Sequence, residues 1–151
     1  MKRLLDTQQY LDTMCQLLQQ GEKTVAIPVA GSSMVPFLTD GDTVYLELPD
    51  TPIKRGDIVL YTRKNGRYVL HRVCKVCKDG SFLMVGDAQT QLEQLPNRGH
   101  IHARVTAARH RGKKMTPRSL RWWMYRHIWL TLRPLRPQLM KLRGKLPGRK
   151  P

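Results

Sequence analysis

The sequence predicts a mainly β domain with helices only at its two ends. Three observations predict it. Short runs rich in β-branched and aromatic residues recur between Thr24 and Ala108. The dipeptide Asn65-Gly66 sits between two of them and is a strong hairpin signal. Apolar residues at helical spacing occur only before Gly21 and after Thr116. Many short strands with few helices between them suggest a coiled, partly barrel-like sheet.

The elements follow in order. From Met1 to about Gln20, Leu4, Leu11, Cys15 and Leu18 fall on one helical face, with Leu5, Met14 and Leu17 beside it; Gly21 is the stop. Asp6, Asp12 and five glutamines interrupt this helix, so it reads as neither signal peptide nor membrane anchor, and packing on the domain is its expected role. Residues 43–48 form a short β-rich run, and 57–62 reads as a buried strand. The hairpin returns along 67–77, Asp79-Gly80 turns the chain, and 81–85 is the next strand. Residues 100–107 read as the closing strand.

Charge divides the chain. Residues 1–108 carry 13 basic and 11 acidic side chains, whereas 109–151 carry 14 basic and none acidic. The expected organisation is an N-terminal amphipathic helix over 1–22, a β domain over 23–110 and a basic, Trp-rich tail over 111–151.

The polar motifs carry the chemistry. Ala30-Gly31-Ser32-Ser33-Met34-Val35-Pro36 is a small-residue turn that can hold one hydroxyl in the open. His71 follows Ser33 by 38 residues, within Val69-Leu70-His71-Arg72-Val73, and Val85-Gly86-Asp87 comes next. A serine hydroxyl needs a base to act as a nucleophile at neutral pH, and an imidazole suits that task. A carboxylate can fix its tautomer, and backbone N–H groups in the turn can receive an oxyanion. Taken singly, each piece has a plainer reading: Ser-Met-x-Pro occurs in ordinary loops, a histidine on a strand is usually structural, and Gly-Asp is usually a turn.

Together, the three segments resemble the serine, base and aspartate boxes of type I signal peptidases, in their Ser–His branch (endoplasmic-reticulum, archaeal and sporulation-type enzymes). Gly41-Asp42-Thr43-Val44 and Lys54-Arg55-Gly56-Asp57-Ile58-Val59 match the intervening boxes, so the resemblance spans about residues 24–108. It implies Ser33 as nucleophile, His71 as general base and Asp87 as the carboxylate that orients it. Glu93 stands where these enzymes carry a second aspartate and is the second choice. The Ser33 N–H is the nominated oxyanion donor, with Gly31 and Ser32 completing the turn; some relatives have a serine where this chain has Gly31. The related LexA-like peptidases share the serine box but use a lysine near the position of His71, and Lys75 lies four residues too late.

The resemblance implies an extended peptide or preprotein substrate, paired along a strand edge with small residues before the cut; residues 27–32 are the candidate edge. No cofactor or metal is expected. Cys74-x-x-Cys77 points its thiols to opposite faces of a strand, and no second pair exists.

In the tail, Thr116-Pro117 reads as an N-cap followed by a helix through Leu120, Trp123, Met124, Ile128 and Leu132, ending at Arg133-Pro134. Trp122, Tyr125 and Trp129 flank that face among Arg121, Arg126 and His127. Tryptophan and arginine so mixed suit the bilayer interface, so Trp122, Trp123, Arg126 and Trp129 are the expected contacts with an anionic membrane. Beyond it, Leu135, Leu139, Leu142 and Leu146 alternate with basic residues. Two other readings stand beside this one: a non-catalytic peptide-binding module of the same fold, and a nucleic-acid-associated, LexA-like protein. Against the latter, no nucleic-acid-binding signature is visible, and about 24 residues before the peptidase region cannot form a DNA-binding domain.

Overall fold

The computed structural model describes residues 2–145. Helix α1 (Lys2–Gln19) precedes eight strands: β1 (Val25–Pro28), β2 (Thr43–Glu47), β3 (Ile58–Thr62), β4 (Tyr68–Val76), β5 (Phe82–Val85), β6 (Glu93–Leu95), β7 (Ile101–His110) and β8 (Lys113–Met115). The strands form one open antiparallel sheet in the order β1-β2-β7-β3-β4-β5-β6, with β8 paired to β7. The long strand β7 holds the sheet together. Arg104 pairs with Glu47 of β2 and with Val59 of β3, so those strands occupy its two edges.

The run Ile58-Val59-Leu60-Tyr61 is apolar throughout because both faces of β3 are covered. Alternation sends Ile58 and Leu60 into a larger core with Leu18, Phe37 and Trp122. Val59 and Tyr61 enter a smaller core with Val73, Phe82 and Met84. The Asn65-Gly66 turn forms as expected: Gly66 has φ +81° and donates to the Arg63 carbonyl. Strand β4 outruns its neighbour. β5 joins it only from Arg72 onward, so residues 68–71 pair with β3 alone.

The tail expected from residue 111 is not a separate appendage. Strand β8 closes a hairpin onto β7 and puts Met115 in the core. The next helix starts later than Thr116-Pro117: Ser119 is the N-cap of α2 (Leu120–Met124), which runs on as a π-helical turn over Tyr125–Trp129. A 3-10 turn then leads into α3 (Arg136–Lys145). Trp122 is 1% exposed and meets the Phe37 ring edge-on at 5.3 Å. The N-terminal helix likewise belongs to the domain, burying Cys15 and Leu18; the expected contributions of the Leu4 and Leu5 side chains, and Leu146, lie outside what is described. All three cysteines are free thiols. Among the described residues no helix is long and apolar enough to cross a membrane.

Candidate active site

Ser33 sits in the turn after β1, and the sequence shapes that turn. Gly31 adopts φ +83°, a region that only glycine enters cheaply, and its N–H donates to Asp40 at 2.8 Å. That amide is therefore engaged within the turn rather than offered as an oxyanion donor. The Ser33 carbonyl accepts from Ala88 N at 2.9 Å. A Cβ on residue 86 would lie 2.5 Å from the same carbonyl, so Gly86 is required for this close approach. The serine turn and the Gly-Asp segment are thus fastened together. Ser33 is half-buried and Ser32 exposed.

His71 lies on the half of β4 that lacks a β5 partner, and it is 4% exposed. Ser33 and His71 line one cleft of about 540 Å³. Ile27, Val29, Met34 and Leu70 give it apolar walls. His71 also lines a second cleft of about 710 Å³, bounded by residues 88–93 and by Pro137 and Met140 of α3. The imidazole therefore stands between two open spaces.

The partner of His71 is not the carboxylate favoured from sequence. Neighbouring strand residues point to opposite faces, and the Asp87 carboxylate reaches Arg72 instead. Arg72 Nε and Nη2 each approach one Asp87 oxygen at 2.8 Å, with both side chains fully buried. Arg72 also donates to the Gly56 carbonyl and lies over the Phe37 ring. Glu93, the second choice, reaches His71 through a residue that sequence reasoning missed. The Tyr61 hydroxyl lies 3.3 Å from His71 Nδ1 and 3.2 Å from Glu93 Oε1. Arg63 grips Glu93 by three hydrogen bonds of 2.7 to 3.0 Å. The signal was present in the alternation of the hairpin: Tyr61 and His71 sit on facing strands, with Val69 registered opposite Tyr61 and Val59 opposite His71.

The electrostatics fix the protons. Burial, and then the Glu93 charge, push the Tyr61 hydroxyl well above the usual phenol range, so it stays protonated. The Arg63 hydrogen bonds hold the Glu93 carboxyl below the usual carboxylate range. Tyr61 therefore donates to Glu93, and its oxygen can accept only from an N–H on His71 Nδ1. That tautomer leaves Nε2 with its lone pair. Burial also pushes the imidazole down to about 4, so it is neutral near pH 7. Among the described residues the Ser33 hydroxyl makes no hydrogen bond, to His71 or to another group.

The basic segment after residue 116 builds the back of this site. Trp129 Nε1 donates to the Asp87 carbonyl at 2.8 Å, and Arg136 donates to the carbonyls of Gly86 and Gln89. Arg133 takes the Thr90 carbonyl at 2.7 Å. Arg126 pairs with Asp57, its stem lying against Gly56 where any Cβ would collide. Three of the four residues expected at a membrane are thereby committed elsewhere: Trp122 to the core, Arg126 to Asp57 and Trp129 to the Asp87 loop. Only Trp123, 49% exposed, keeps an open face. Trp122 turns inward against Phe37, and Trp129 toward the Asp87 carbonyl.

A family profile described as Peptidase S24-like matches residues 2–117. The chain belongs to the Peptidase S24-like family. Its fold is accordingly of the serine-peptidase type, within the LexA and signal-peptidase-like superfamily that the boxes around Ser33 and His71 resemble. No curated protein and no solved structure compared with the chain matches it. The match ends soon after β8, so the α2–α3 segment that braces the Asp87 loop lies beyond the matched residues.

Proposed function

We propose that the chain is a serine endopeptidase in which Ser33 Oγ attacks a peptide carbonyl and His71 Nε2 takes its proton. The observation that carries this reading is the single cleft lined by Ser33 and by a buried, neutral imidazole whose other nitrogen faces Tyr61. As His71 becomes an imidazolium, its Nδ1–H is held by the Tyr61 oxygen, and the charge is balanced through Tyr61 by Glu93. Arg63 keeps Glu93 ionised and in place. The Ser33 N–H is the nominated donor to the tetrahedral oxyanion. His71 then returns the proton to the leaving amine, and water repeats the sequence on the acyl-enzyme.

The substrate class follows from the strands beside the cleft. Residues 68–71 of β4 have one open edge, and β1 is an edge strand of the sheet. An extended peptide can add main-chain hydrogen bonds there while apolar walls take small or aliphatic side chains. Leader or signal segments fit that description. Residues of α1 already use part of this edge: Gln8 Oε1 accepts from Tyr68 N at 3.4 Å, and the Tyr10 hydroxyl donates to the Ala26 carbonyl at 3.4 Å.

The test is digestion of a leader-peptide library by the full chain beside Ser33→Ala and His71→Ala. Cuts made by the parent and lost in both variants support the peptidase. Intact peptides that still bind the parent would favour a non-catalytic peptide-binding module.

A further inference from the structure

We propose that the outer face of the α2–α3 segment docks the protein on an anionic lipid surface, independently of the peptidase reading. Nine large hydrophobic side chains are exposed among the described residues, and six of them (Leu120, Trp123, Met124, Ile128, Leu135 and Leu142) fall within this one segment. They are not all scattered. Leu120 and Met124 are one helical turn apart, and Met124, Ile128 and Leu142 line a common groove of about 350 Å³ between the two helices. Leu120 is 74% exposed and Leu142 61%, well beyond what a folded core would leave in water without a partner.

Charge selects the occupant. No acidic residue follows Glu93 in the chain. Several arginines of the segment are spent inward on Asp57 and on loop carbonyls, but Arg118, two residues before Leu120, and Lys141, next to Leu142 in sequence, remain exposed. Lys145, Arg149 and Lys150 follow in the sequence. Exposed apolar side chains in a segment whose only charges are cationic match the acyl–headgroup boundary of an anionic bilayer. A single-stranded nucleic acid would instead need exposed aromatic platforms. Two of the three tryptophans are withdrawn: Trp122 is buried and Trp129 is bonded to the Asp87 carbonyl beneath the Arg136 guanidinium. The protruding groups are mainly aliphatic.

The test is flotation of the full chain with phosphatidylcholine vesicles, with and without phosphatidylglycerol. The expected result is binding that requires phosphatidylglycerol and weakens with added salt. Leu120→Glu combined with Ile128→Glu should lower the bound fraction at least about tenfold. Arg118→Gln combined with Lys141→Gln should lower it too. Both pairs replace exposed side chains, and an unchanged melting temperature verifies the fold. The proposal is overturned if the parent stays unbound with phosphatidylglycerol, or if the double glutamate variant floats like the parent. It is also overturned if single-stranded RNA competes the parent off vesicles and binds the glutamate variant equally well.

Discussion

The Tyr61 hydroxyl lies 3.3 Å from Nδ1 of His71, on the neighbouring strand of the β3–β4 hairpin. Through it, the imidazole is connected to Glu93 and Arg63 without touching a carboxylate directly. If this link sets the tautomer, Tyr61→Phe and Glu93→Gln should each lower kcat by roughly tenfold to a hundredfold. KM should change little, because neither group is proposed to touch the substrate. Steady-state kinetics on a cleaved peptide check this; unchanged kcat in both variants would remove the relay from the account.

Asp87 should behave differently from Glu93. Its carboxylate and the Arg72 guanidinium form a pair fully out of water. Removing one partner of such a pair strands a buried charge and costs about 3–5 kcal/mol. Asp87→Ala should therefore lower the melting temperature steeply. Replacing both partners with leucine should restore much of the loss, since two apolar groups strand nothing. Thermal unfolding of the single and double variants measures this directly. Glu93→Gln, in a pair that is about a third exposed, should shift the melting temperature only slightly.

The His71 imidazole, held at about 4 by burial, sets the pH behaviour. It is already deprotonated across the neutral range, so kcat/KM should be level from about pH 5 to pH 8 and fall on the acid side as His71 gains a proton. An unfolded imidazole titrates near 6.5, so between the two values the unfolded chain binds more protons than the folded one. Stability should decline as pH drops from about 6.5 toward 4, and denaturant midpoints across that window test the sign. A kcat/KM that falls with a midpoint near 6.5 would mean that His71 is solvated rather than buried.

Much of this was legible beforehand, for identifiable reasons. The strands around Asn65-Gly66 were readable because an Asn-Gly pair between two alternating runs marks a hairpin, and the buried run from Ile58 to Tyr61 announced a covered strand. The serine turn and His71, which line one cleft, were singled out by their boxes. The partner of His71 was not, because register decides it. Arg72 follows His71 and faces the other way, so the nearby Asp87 is captured on the wrong face while Tyr61 relays to Glu93. The division of labour in the tail was hidden for a similar reason. Arginine and tryptophan at helical spacing do not say which side chains face the protein, and the carbonyls of Gly86, Asp87 and Gln89 draw Trp129 and Arg136 inward. Strands β6 and β8, three residues each, are too short to leave a periodic signal.

The segment after residue 116 should be needed for folding. Trp122→Ala removes a buried indole packed on Phe37 and should cost about 3–5 kcal/mol. A chain ending at residue 116 should be unfolded or strongly destabilised by circular dichroism. A cooperative, parent-like melt in the shortened chain would show that the α2–α3 packing contributes little.

Helix α1 should compete with substrate for the strand edges. Gln8→Ala with Tyr10→Phe frees Tyr68 N and the Ala26 carbonyl. The expected result is a lower KM for peptide, by several-fold, with kcat preserved. An increase in KM would mean that these side chains help to hold the substrate instead.

The most direct measurement is the cleavage assay on the full chain, read by mass spectrometry, with Ser33→Ala and His71→Ala beside the parent. The account predicts defined cuts after small or aliphatic residues by the parent and none by either variant, with all three proteins equally folded. Cuts that persist in Ser33→Ala, or a parent that cuts nothing in the presence or absence of lipid, would contradict it.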